Sequence, residues 1–193
     1  MRYFPISKEA LVHLSMVDKA LADVISTYPQ PRRVLYSSAF ECIVSCIVQQ
    51  QISSKVAENV FCKLTELLHT ITAENVLSTS LDSICSCGLS QRKAQCIFSV
   101  AEAVVRGELD FITLSSLPDN EIEKQLLRYK GIGSWTVEML LIFGLSRPNV
   151  FSTKDFGIKR GFYKLHPNAD INVYKKLYSP YATVASLYLW EIL

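Results

Sequence analysis

One carboxylate is placed where it could do chemistry. Asp155 stands in the run VFSTKDFGIKRGF (150–162), in a loop directly before an apolar helix start. A side chain there can cap the helix by accepting from its first amides. Beside a reacting centre, the same carboxylate can stabilise developing positive charge and orient or deprotonate a water. Asp155 follows Gly133 by 22 positions (155 − 133), and Gly133 belongs to a second suggestive stretch, LLRYKGIGSWTVEML (126–140). There Gly131-Ile132-Gly133 interrupts two helix-like runs, and Trp135 follows at once.

Two glycines flanking one apolar residue allow backbone angles closed to other residues and close approach to another surface. Ile132 is expected to pack back between the flanking helices. The amides of Ile132, Gly133 and Ser134 then open the next helix at its positive dipole end, which suits a phosphate. Helices joined in this way grip a DNA backbone without reading sequence. The same short pattern also makes a plain helix–helix turn, and Asp155 serves equally well as a plain cap. The only two tryptophans are Trp135 and Trp190. Each could stack on a cationic ring or fill a core.

The surrounding elements read as helices. The chain has 193 residues, 49% of them hydrophobic and 20% charged, enough for one compact domain or two small lobes. Apolar residues at three- and four-residue spacing predict helices over 8–27, 38–51, 53–67, 73–79, 91–106, 118–128, 134–145, 156–164 and 180–192. Pro118 is expected just inside its helix. No segment alternates as a strand, so the reading is all-α with nine or ten helices. A net charge of +2 does not by itself declare a nucleic-acid binder. No apolar run approaches a bilayer span, and the N-terminus lacks the features of a signal peptide. The six cysteines are therefore expected as reduced, largely buried thiols. Cys85 and Cys87 stand too close for a zinc pair, and the three histidines are scattered. No cysteine follows Cys96, which excludes a C-terminal iron–sulfur loop.

Taken together, LLRYKGIGSWTVEMLLIFGLSRPNVFSTKDFGIKRGF, AFECIVSCIVQQQISSKVAENV (39–60), CGLSQRKAQCIFSVAEAVVRGELD (87–110) and YSPYATVASLYLW (178–190) resemble the helix–hairpin–helix DNA glycosylase superfamily. Within it they look most like 3-methyladenine DNA glycosylase II. The likeness covers nearly the whole chain, in order. It implies a single glycosylase domain over 1–193, two helical lobes with the active-site cleft between them, and a hairpin at about 118–145. It implies hydrolysis of the N-glycosidic bond of alkylated bases such as 3-methyladenine, the first step of base excision repair, after the nucleotide is turned out of the duplex.

Carried over residue by residue, the resemblance makes Asp155 the catalytic carboxylate. Trp135, Trp190, Phe40, Tyr129 and Met139 would line the base pocket, and Gln51 would be the wedge filling the vacated stack. Lys130, Gly131, Ile132, Gly133, Ser134, Thr136, Lys93 and Lys154 would meet the DNA backbone, with Arg92, Lys159 and Arg160 as further charges turned toward DNA. Relatives that also cut the strand carry a lysine where this chain has Trp135. An indole has no amine to form a Schiff base, so the enzyme is expected to be monofunctional. Family members hold a monovalent cation through hairpin carbonyls, here near Leu127, Tyr129 and Lys130, making structural Na+ or K+ the one expected cofactor. Three departures stand out: Gln49 for glycine, Met139 for tyrosine and Ala182 for arginine. The expected partner is duplex DNA with damaged bases, bound by a monomer without a membrane. The expected location is the cytoplasm in a bacterium or the nucleus in a eukaryote. The rival readings are another base specificity (hypoxanthine, uracil, oxidised or mismatched bases) and a non-catalytic DNA-binding protein.

Overall fold

The computed structural model describes residues 2–192. Among them the chain is all-α, with thirteen α-helices and one π-helical turn. The one β-pairing among the described residues is an isolated antiparallel bridge between Tyr3 and Val34. The helices fall into two compact units, one formed by the segments up to Leu35 and from Leu141 onward, the other by Tyr36–Leu140.

The chain opens in the first unit with α1 (Lys8–Val17) and α2 (Lys19–Thr27). Periodicity predicts one helix here, and Asp18 divides it. Its backbone is extended, and Oδ1 accepts from the amides of Ala20 and Leu21 at 3.0 and 3.2 Å. Its Oδ2 accepts from the Tyr178 hydroxyl at 2.6 Å and lies 2.9 Å from His166 Nε2. A carboxylate buried to 5% exposure needs this many partners, and meeting them requires the break. Burial, reinforced by that hydrogen bond, pushes the Tyr178 hydroxyl far above the usual tyrosine range.

The second unit runs α3 (Ala39–Gln49), α4 (Ser54–Leu68), α5 (Ala73–Leu77), α6 (Leu81–Ser86), α7 (Gln91–Val105), α8 (Phe111–Ser115), α9 (Asp119–Leu126) and α10 (Ser134–Met139). Side chains of Ser38, Ser53, Thr72, Ser80, Ser90 and Asp110 cap six of these by accepting from early amides. Helix α3 is buried without a break from Cys42 to Val48, so it forms the spine of this unit. Pro118 lies one position earlier than expected, as the N-cap of α9. Its fixed φ serves there, and its missing N–H costs nothing.

The chain then returns to the first unit through the π-helical turn Leu140–Gly144, followed by α11 (Phe156–Leu165), α12 (Ile171–Leu177) and α13 (Ala182–Glu191). The expected helix at 134–145 is therefore two segments with different winding. Helices α6, α8 and α12 were not expected. They are six, five and seven residues long, too short for a 3.6-residue period to declare itself. No described helix is long and apolar enough to cross a membrane.

Candidate active site

Asp155 is the N-cap of α11, and its Oδ1 accepts from the Ile158 amide at 2.7 Å. Its cap role is thus real, but a second donor makes it more than a cap. The indole Nε1–H of Trp190, on α13, donates to the same Oδ1 at 2.9 Å. With one oxygen fixed by two donors, the plane of the carboxylate and the direction of Oδ2 are fixed as well.

Several features hold this arrangement. A Cβ at Gly157 would lie 2.6 Å from Trp190 Cδ1 and 2.8 Å from its Nε1, so only glycine admits the indole in this position. A Cβ at Gly161 would lie 2.2 Å from the carbonyl oxygen of Leu189, so α11 and α13 meet backbone to backbone. The ring of Phe143, on the π-helical turn, stacks on Trp190 at 5.7 Å and 26°. Thr183 Oγ1 donates to Arg147 O at 2.7 Å and accepts from Val150 N at 2.9 Å. Ser186 Oγ donates to Val150 O at 3.1 Å. These two buried hydroxyls stitch the strand of loop leading to Asp155 onto α13. Trp190, expected as a pocket wall, is the residue whose indole N–H orients the carboxylate. Phe156, the next residue after Asp155, is 77% exposed.

The hairpin lies in the other unit. Gly131 has φ +104°, and a Cβ there would meet Cys96 Sγ at 2.8 Å. Conformation and space both demand glycine at that position. Gly133 is different. It is extended, at φ −111° and ψ 171°, and a Cβ there would meet nothing within 4 Å. Of the two glycines, either of which could adopt angles closed to other residues, only Gly131 does. Gly133 is the exposed N-cap of α10, with no side-chain cap bond. Ile132 packs back as expected, at 6% exposure, and its amide donates to Tyr129 O at 3.0 Å. That amide therefore closes the turn and does not serve as a phosphate donor. Thr136, also expected at the DNA backbone, is buried to 1% and accepts from Gln50. Ser134 and Trp135 are half-buried in the first turn of α10, and Lys130 is exposed. The carbonyl set expected to hold a cation is neutral oxygen, which suits Na+ or K+. Tyr129 O already accepts from Ile132, leaving it one lone pair for such an ion.

Between α3 and α4, Gln51 is an exposed non-glycine residue at φ +56°. Its neighbour Gln50 is anchored: Nε2 donates to Gly131 O at 2.9 Å and to Thr136 Oγ1 at 3.0 Å. Lys93 Nζ donates to Gln50 O at 2.7 Å and to Val48 O at 2.9 Å. Lys93 thus completes the C-terminal end of α3, where a DNA contact was expected, and burial lowers the pKa of its ammonium. Gln49, in place of a glycine, is simply the last residue of α3 and donates to Ser45 Oγ at 2.9 Å. Ala182, in place of an arginine, is buried at the start of α13.

Phe40 and Met139, expected to line the pocket, are 6% and 5% exposed and pack as core residues. Tyr129 is half-buried, and desolvation raises its pKa, with Glu108 adding to the effect. Lys154, Arg92, Lys159 and Arg160 are exposed. All six cysteines are free, and Cys42, Cys46, Cys87 and Cys96 are buried. Burial raises the thiol of Cys96 to about 11 and that of Cys42 well above the ordinary value, so both stay protonated and act as small hydrophobes. The sequence reading missed the roles of Phe143 and Gln50. A lone serine and threonine inside the otherwise apolar run of α13 were a usable signal for the stitched loop.

Comparison with known proteins identifies the family. Residues 44–181 match the model of the HhH-GPD superfamily base excision DNA repair proteins. DNA-3-methyladenine glycosylase 1 of Schizosaccharomyces pombe is 31% identical over 95% of this chain and 86% of its own length. Among solved structures, a DNA-3-methyladenine glycosidase from Bacillus halodurans superimposes with a TM-score of 0.81 at 32% identity, covering 99% of this chain and 92% of that one. The S. pombe 3-methyladenine DNA glycosylase in complex with abasic DNA gives 0.84 at 29% identity, covering 95% and 96%. With an anchored carboxylate after a Gly-x-Gly hairpin and a match over most of its length, this chain belongs to the HhH-GPD superfamily of base excision DNA repair proteins.

Proposed function

We propose that the protein is a monofunctional DNA glycosylase that hydrolyses the N-glycosidic bond of alkylated purines such as 3-methyladenine in duplex DNA. The observation that carries this reading is the Asp155 carboxylate, held by Ile158 N and Trp190 Nε1 at the N-terminus of α11. The relatives above, DNA-3-methyladenine glycosylases and a DNA-3-methyladenine glycosidase, support the substrate class.

The chemistry follows from charge. As the C1′–N bond breaks, its electron pair leaves with the base and positive charge develops on the deoxyribose. A fixed carboxylate beside the sugar stabilises that charge more than it does the still uncharged sugar of the ground state, which is what lowers a barrier. Water then adds to C1′ and loses its proton, with Asp155 as the orienting base. The products are free base and an abasic site. A purine alkylated at a ring nitrogen carries positive charge and departs as a neutral base, so modest catalysis suffices. Trp135 offers no amine for a Schiff base, so the strand remains intact. Lys130 and the open approach at Gly133 suit contact with a phosphate. A monomer working on duplex DNA, in the compartment that holds the genome, completes the reading.

The test is release of free methylated base from alkylated duplex DNA. Wild type is expected to release base and to leave abasic sites that break only with alkali. Binding of DNA without base release indicates the non-catalytic alternative. Strand cleavage without alkali, or covalent trapping by borohydride, refutes the monofunctional assignment.

A further inference from the structure

We infer that Gln50 is a positioning residue tying the turn that carries Gln51 to the hairpin, so that seating the hairpin on a strand fixes where Gln51 enters the stack. The inference rests on the reading of Gln51 as the wedge in a base-extruding protein.

The left-handed backbone of Gln51, at φ +56°, is unfavourable for a side-chain-bearing residue and persists only when its surroundings impose it. The structure shows what imposes it. On the main-chain side, Lys93 Nζ pins Gln50 O at 2.7 Å and Val48 O at 2.9 Å, joining the turn to α7. On the side-chain side, Gln50 Nε2 spans the hairpin. It donates to Gly131 O at 2.9 Å in the turn and to Thr136 Oγ1 at 3.0 Å in α10. Gly131 O can only accept, which settles the orientation of the Gln50 amide. Thr136 is buried to 1% and Gly131 packs on Cys96, so both acceptors belong to a rigid frame. Gln51 then projects from the one residue clamped on both sides, and its own side chain is exposed. A wedge must hold its direction while it displaces a stacked base at a cost of a few kcal/mol. A tie to the element that grips the strand supplies that stiffness.

Removing the tie should separate gripping from insertion. Gln50→Leu keeps a branched side chain, one atom shorter, and removes both N–H donors. Thr136→Val keeps shape and removes one acceptor. Gln51→Ala serves as the reference for a lost wedge. The probe is a duplex with a tetrahydrofuran abasic analogue next to 2-aminopurine, whose fluorescence rises when it unstacks. Wild type is expected to bind and to raise the fluorescence. Gln50→Leu is expected to bind within about threefold of wild type, while the fluorescence change per bound complex falls at least about threefold, as in Gln51→Ala. Thr136→Val is expected to fall between. Should Gln50→Leu not fold, as judged by its melting transition, the comparison of Thr136→Val with wild type decides. Wild-type fluorescence per complex in the tie variants overturns the inference alone, as does parallel loss of binding and signal. Wild type that binds without any fluorescence change removes the wedge reading and the inference with it.

Discussion

Trp190→Phe isolates the contribution of one hydrogen bond to the proposed catalysis. The substitution keeps an aromatic ring against Phe143 and deletes the Nε1–H that reaches Asp155 Oδ1 at 2.9 Å. A hydrogen bond to a charged group contributes about 1.5–3 kcal/mol. At ~1.4 kcal/mol per decade, losing its orienting effect slows base release roughly 10- to 150-fold. The Ile158 amide at 2.7 Å remains, so the loss should stay shallower than that of removing the carboxylate charge. Gly157→Ala reaches the same bond from the other side, because its Cβ would displace the indole from 2.6 Å. The assay is single-turnover base release at saturating enzyme, for each single variant and for the double variant. Both substitutions act on the same Nε1–Oδ1 bond, so adding Gly157→Ala to Trp190→Phe should slow release by less than Gly157→Ala does alone. Contacting residues couple in this way, and independent ones do not. A Trp190→Phe rate within twofold of wild type, or two losses that simply multiply, refutes the reasoning.

The two hairpin glycines give opposite expectations. Gly131→Ala, at φ +104° and 2.8 Å from Cys96 Sγ, should destabilise the fold by about 1–3 kcal/mol in urea unfolding. Gly133→Ala meets nothing within 4 Å and should leave stability within about 0.5 kcal/mol, while weakening duplex binding measured by anisotropy. Gly161→Ala drives a methyl to 2.2 Å from Leu189 O and should lower soluble yield and melting temperature more than any other glycine variant here. Burial pushes the Tyr36 hydroxyl up to about 12, so the folded state keeps a proton that the unfolded state loses near pH 10. Its contribution is therefore intact below about pH 10 and is lost as the pH rises toward about 12. Tyr36→Phe should flatten alkaline unfolding over that window, followed by circular dichroism.

Legibility in the sequence follows the range of the interactions. Asp155 could be placed at a helix start because its signal is local: a polar residue followed by Phe-Gly-Ile. Gly131 could be assigned to a strained turn for the same reason. What α13 does to Asp155 could not be read, since Trp190 lies 35 positions away and nothing local marks its Nε1 as a donor to that carboxylate. In Gln49-Gln50-Gln51 three identical side chains have three different jobs. One ends a helix, one ties down the hairpin and one projects from a left-handed backbone, and only tertiary partners separate them. The internal partners of Lys93 and Thr136 were hidden for a related reason, because a polar residue beside a binding motif can face inward once α3 ends next to it. Asp18 broke a helix whose apolar period ran straight through it, because tertiary partners for a buried carboxylate outweigh helical propensity.

The most direct test of the account is Asp155→Asn. Asparagine keeps the Oδ1 acceptor for Ile158 N and Trp190 Nε1 and removes only the charge. Single-turnover release of methylated base should fall by about a hundredfold or more, with melting temperature and affinity for abasic duplex unchanged. An Asp155→Asn variant that releases base at the wild-type rate would contradict the account.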